Sequence, residues 1–148
     1  MLKGKFILGM LIGLLADAVM PTFNYIAFKL NLTPIVFWQN IAALFFEKKD
    51  LFNAVSILAG GLFDLTVTMF LGIIFIYYIN FVGKEHLWIK GIIFGMMAMV
   101  ILFGLILTQL VKDTIPPEPL VVLLTIFAHF IYGLSLVAFT RLLARDMI

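Results

Sequence analysis

The chain has 148 residues, 64% of them apolar and only 12% charged, with a formal net charge of +2 and a mean hydropathy of +1.19. Soluble domains carry roughly 25% charged residues, so a water-soluble fold is excluded, and so small a charge bias gives no argument for nucleic acid as a partner. Cysteine is absent, which removes disulfides and thiolate chemistry; with two histidines besides, neither a metal site nor a cofactor is expected.

In chain order, Lys3 and Lys5 precede an apolar stretch that runs past Asp17 to about Phe28. It is longer than a signal-peptide core and has no clear small-residue cleavage site, so it reads as a retained first span over residues 6–28. Residues 55–81, 87–111 and 120–141 follow as three further spans. Each has about 20 residues or more, enough to cross a hydrocarbon core of about 30 Å. Backbone groups in lipid must pair internally, so all four are helices. The expected fold is all-α, a polytopic four-helix membrane bundle forming a single domain over residues 1–148.

Between the first two spans, residues 34–46 are apolar but too short to cross. Thr33-Pro34 looks like a helix start, and the charged run 47–50 closes the segment. The expectation is either an interfacial or re-entrant helix with Phe37, Trp38, Phe45 and Phe46 toward lipid and Gln39 and Asn40 toward headgroups or protein, or an ordinary loop helix packed on the bundle. Trp88 is a further interface anchor, and Gln109 a headgroup or loop contact. In the short connections, six basic residues (Lys3, Lys5, Lys84, Lys90, Arg141, Arg145) fall on the side of the termini and four (Lys29, Lys48, Lys49, Lys112) opposite. That bias places both termini in the cytoplasm.

Three ionisable residues interrupt the spans: Asp17 in the first, Asp64 in the second and His129 in the fourth. Such groups are costly in lipid and face a bundle interior. Gly9, Gly13, Asp17, Pro21 and Asn24 share one helix face, as do Gly61, Asp64, Thr68 and Gly72, and again Thr125, His129 and Gly133. Small residues, with Gly91 and Gly95 in the third span, let helices approach closely. Asp17, Asn24, Asp64, Thr68 and His129 are therefore the candidates for a proton relay or for interhelical hydrogen bonding. No nucleophile–base set, dinucleotide loop or metalloprotease motif is present. Asp17 and Asp64 also lack the sequence context of intramembrane aspartyl proteases. The protein is expected not to be an enzyme.

Asn31-Leu32-Thr33-Pro34, Ile76-Tyr77-Tyr78, the run from Trp88 to Gly95 and Ile131-Tyr132-Gly133 together resemble a family of uncharacterised four-span membrane proteins of Gram-positive, often spore-forming, bacteria. The resemblance implies a multi-pass bacterial plasma-membrane protein with no assigned activity and no catalytic residues to carry over. The expected function is a small accessory or scaffold subunit that self-associates or serves another membrane protein, with membrane lipids as its other partners. The alternatives are a proton-coupled or ion-conducting protein using Asp17, Asp64 and His129, and a lipid-binding or transfer protein using the aromatic segment 37–46.

Overall fold

A computed structural model describes residues 2–107 and 118–144. Gln109, Lys112, the proline-rich connection before the fourth span and Arg145 lie outside the described residues. Helix α1 spans Leu2–Lys29, the short α2 spans Phe37–Ala42, and a single 3-10 turn covers Lys48–Asp50. Helix α3 spans Ala54–Val82, α4 spans Leu87–Met99 and passes into a π-helical stretch at Val100–Leu107, and α5 spans Pro119–Leu143. No strand occurs among the described residues. Four of these helices are long and apolar enough to cross a membrane. Their outer faces carry exposed large apolar side chains such as Ile7, Leu62, Phe70 and Phe127, as lipid contact requires.

Local chemistry sets the helix ends. α1 runs through Pro21 and stops in a Schellman-type cap. There Asn31 takes a left-handed φ of 57° and the Leu32 N–H donates to the Ala27 carbonyl at 2.9 Å. Asn53 begins α3 by accepting from the Val55 N–H at 3.0 Å. α3 ends at Gly83, whose φ of 82° is open to glycine, and the Lys90 ammonium donates to the carbonyls of Val82 and Gly83.

The second helix differs from expectation. It has six residues and begins at Phe37 rather than at Pro34. The Thr33 hydroxyl instead donates to the Ile35 carbonyl, and Gln39 supplies the cap by accepting from the Val36 N–H at 2.9 Å. The Gln39 amide also donates to the Leu51 carbonyl, which ties α2 to the connection that follows. That tether turns Phe37 inward, where it is 4% exposed, so it is a core residue and not a lipid contact. Phe45 does face outward, edge-on to Phe63, and Phe46 is half-buried.

α1 packs extensively on both α3 and α5, and α5 packs on α4. Direct α3–α4 packing is slight. The helices thus follow the spatial order α3, α1, α5, α4. Two glycine-lined crossings hold the outer pairs. Between α1 and α3, a methyl group on Gly72 would sit 2.6 Å from the Gly13 backbone, and one on Gly9 would sit 2.7 Å from the Ile73 Cα. Between α4 and α5, a methyl on Gly95 would lie 2.5 Å from the His129 carbonyl oxygen, and Gly91 and Gly133 face each other. At one end of the bundle the Lys5 ammonium of α1 donates to the Asn80 side chain of α3, and Arg141 of α5 stacks 5.0 Å over the Trp88 ring of α4. Phe75 and Tyr78 of α3 meet Phe94 of α4 toward that end. Farther along, α3 and α4 part, and α2 lies against α3.

Candidate functional site

The costly residues of three helices gather where α3 and α4 separate. Asp64 is 3% exposed on α3 and accepts from the Trp38 indole N–H at 3.1 Å. Trp38 reaches it because Gly60 and Gly61 let α2 lie directly on α3: a methyl on Gly61 would stand 3.0 Å from the indole ring, and one on Gly60 would meet the Trp38 carbonyl. One turn on, the Thr68 hydroxyl donates to the Asp64 main-chain carbonyl at 2.9 Å, leaving its oxygen able to accept.

On α1, Asp17 is 1% exposed, and its Oδ1 has no hydrogen-bond partner. Pro21 has no N–H to give the Asp17 main-chain carbonyl, so that group also lacks its usual helical donor. Asp17 and Asp64 lie within electrostatic reach of each other, and both act on Tyr132.

On α5, His129 Nδ1 lies 2.9 Å from the Thr125 carbonyl oxygen. A carbonyl can only accept, so Nδ1 carries the hydrogen and Nε2 is left as the acceptor nitrogen. The ring is wedged between Phe103 and Phe37, with centroids at 5.2 and 6.4 Å. Tyr132, one turn further, is 1% exposed, and its hydroxyl has no partner.

These groups border a cavity of about 360 Å³. Asp64, Thr68, His129 and Tyr132 form its polar wall; Phe37, Ile41 and Leu44 roof it; Val67 and Leu71 of α3 face Ala98, Leu102 and Phe103 of α4 across it. Phe45 and Phe63, 56% and 41% exposed, stand at its outer rim, so the cavity opens sideways between the helices rather than along the bundle axis.

Of the candidate residues, Asp64, Thr68 and His129 share this cavity, and Asp17 stands behind it. Asn24 is buried with an unpartnered Oδ1 but does not line it. Gly9, Gly13, Gly91, Gly95 and Gly133 serve helix crossings, whereas Gly61 receives the Trp38 ring. Trp88 lies at the Arg141 end, away from the site. Tyr132 and Phe103 were not foreseen. The signal for Tyr132 is its position three residues after His129, on the same helix face. Among the described residues, no group of three or more His, Cys, Asp or Glu side chains is gathered as for a metal ion.

No protein family, curated protein or solved structure matches the chain. What the structure supports is the architecture of a four-span membrane protein, four long apolar helices with a short one after the first, and no family.

Proposed function

We propose that this is a non-enzymatic integral membrane protein that binds a small, largely apolar molecule in the cavity between α3 and α4, reached from the surrounding bilayer. The observation that carries the reading is the cavity itself: apolar on most sides, open at the Phe45–Phe63 rim, and backed by four polar side chains at membrane depth. Sites for small molecules are commonly of this size and composition. The test is a titration of the protein in lipid nanodiscs with propylbenzene, followed by Trp38 fluorescence in a Trp88→Phe background. A saturable response that Leu71→Phe abolishes by filling the cavity supports the reading. A response that is the same with and without the filled cavity overturns it.

A proton or ion relay is the second reading, favoured by one observation: Asp64 and His129 border the same cavity, with Asp17 in electrostatic reach. Reconstituted vesicles should then dissipate a pH gradient in a way that Asp64→Asn alters, and wild-type flux equal to that of empty vesicles refutes it. The accessory, self-associating role drew on the small-residue faces. Gly9, Gly13, Gly72, Gly91, Gly95 and Gly133 are all occupied within the chain's own crossings, so these glycines lend that role no support. We place the protein in the bacterial plasma membrane with both termini cytoplasmic, on the basic-residue bias; reporter fusions at each terminus test this.

A further inference from the structure

The cavity has walls that constrain the chemistry of its guest. Every polar group offered to it can accept a hydrogen bond, and several can do nothing else. Asp64 presents a carboxylate; His129, with its Nδ1 hydrogen held by the Thr125 carbonyl, presents the Nε2 lone pair; Thr68, with its hydroxyl hydrogen turned to the Asp64 carbonyl, presents its oxygen. The Tyr132 hydroxyl, buried and unpartnered, is the fourth. The indole N–H of Trp38 is already committed to Asp64. Asp64, Thr68 and His129 thus offer acceptors, while the Tyr132 O–H can accept or donate, so a guest that donates satisfies more of the wall than one that only accepts.

The remaining surface is aromatic: Phe37, Phe45, Phe63, Phe103 and Tyr132 all border the cavity. Ring faces attract cations, and the same rings suit a hydrocarbon tail.

We propose that the cavity takes a hydrophobic ammonium ion, an amine with an aryl or short alkyl tail, its three N–H donors shared among Asp64, Thr68, His129 and Tyr132. This inference rests on the binding reading above and gives that guest its class. Asp64 supplies the counter-charge and the aromatic rings surround the tail, so the charge is held at the polar wall and the tail faces the lipid-side opening.

The experiment pairs two molecules of nearly equal shape, 2-phenylethylammonium and propylbenzene, which differ in the charged donor group. Each is titrated into Trp88→Phe protein in nanodiscs at one pH, with Trp38 as reporter and Leu71→Phe protein in the same background as the bilayer baseline. The ammonium ion is expected to bind at least roughly tenfold more tightly than the hydrocarbon, a difference of about 1.4 kcal/mol. Asp64→Asn is expected to remove that preference while leaving hydrocarbon binding in place. If Asp64→Asn protein does not fold, the wild-type preference alone decides. Equal binding of the two molecules overturns the ammonium inference and leaves the binding reading intact. No saturable binding of either overturns both.

Discussion

Gly72 lies where α3 crosses α1, and an alanine there has no room. Its methyl group would stand 2.6 Å from both the Cα and the N of Gly13, and closer still to the Gly9 carbonyl oxygen. All of these are backbone atoms, so no side chain can rotate aside. To restore ordinary contact at 3.4 Å, the two helices must part by more than about 0.8 Å, since the Gly9 oxygen is nearer than the Gly13 atoms. Forced overpacking of this kind costs about 3 kcal/mol, at the upper end of its usual range because rigid backbone must move. The higher helix propensity of alanine returns about 1 kcal/mol, so Gly72→Ala should lose about 2 kcal/mol in total. The assay is reversible unfolding by sodium dodecyl sulfate in mixed micelles, followed by far-ultraviolet circular dichroism. Gly104→Ala is the control, since among the described residues its added methyl would meet nothing nearer than Val100 Cγ1 at 4.0 Å. The same displacement would draw α3, with Asp64, away from Asp17, so ammonium binding should weaken in parallel. A Gly72→Ala protein as stable as Gly104→Ala would show that the α1–α3 crossing is looser than described.

The remaining predictions concern unpartnered groups and one strained turn. Tyr132→Phe removes a hydroxyl that has no partner, so the guest-free protein should unfold no earlier and gain up to about 1 kcal/mol. Its affinity for 2-phenylethylammonium should fall several-fold, and a loss of stability in the detergent assay would contradict the assignment. Thr140→Val replaces a fully buried, unpartnered hydroxyl with a methyl of similar size and should raise stability by about 1 kcal/mol in the same assay. Gly83→Ala meets no atom within 4 Å, yet it should lose about 1–2 kcal/mol because φ of 82° and ψ of 168° lie in a region reserved for glycine. A thermal midpoint unchanged from wild type would refute that strain.

Much of this architecture was legible because lipid makes polar residues conspicuous. Asp17, Asp64 and His129 stood out as charges in apolar runs, and the spacing of Gly9, Gly13, Gly91, Gly95 and Gly133 marked the faces on which helices meet. The cavity was not legible. It depends on α3 and α4 being consecutive yet packing mainly on α1 and α5 respectively, a choice made by glycine against glycine across the bundle. Phe37 was misplaced for a local reason. A continuous apolar helix over 34–46 would present its phenylalanines to lipid, but Gln39 anchors a helix of only six residues and sets Phe37 against His129. Tyr132 escaped notice because a tyrosine in an apolar span reads as an interface anchor or core filler. Its importance lies in the hydroxyl, whose isolation only three-dimensional packing reveals.

The central position of α1 has a consequence for biogenesis. Of the four described spans it is made before the others, and both of its partners, α3 and α5, come later in the chain. Until they arrive, Asp17 and Asn24 must meet lipid or water. An exposed aspartate at the centre of a lone helix costs about 3 kcal/mol to insert. A newborn α1 is therefore a poorly anchored span, one that benefits from a chaperoning insertase or from waiting at the translocon. Packing of α3 and α5 on α1 covers Asp17, which removes the cost of leaving that carboxyl in lipid and so anchors the span.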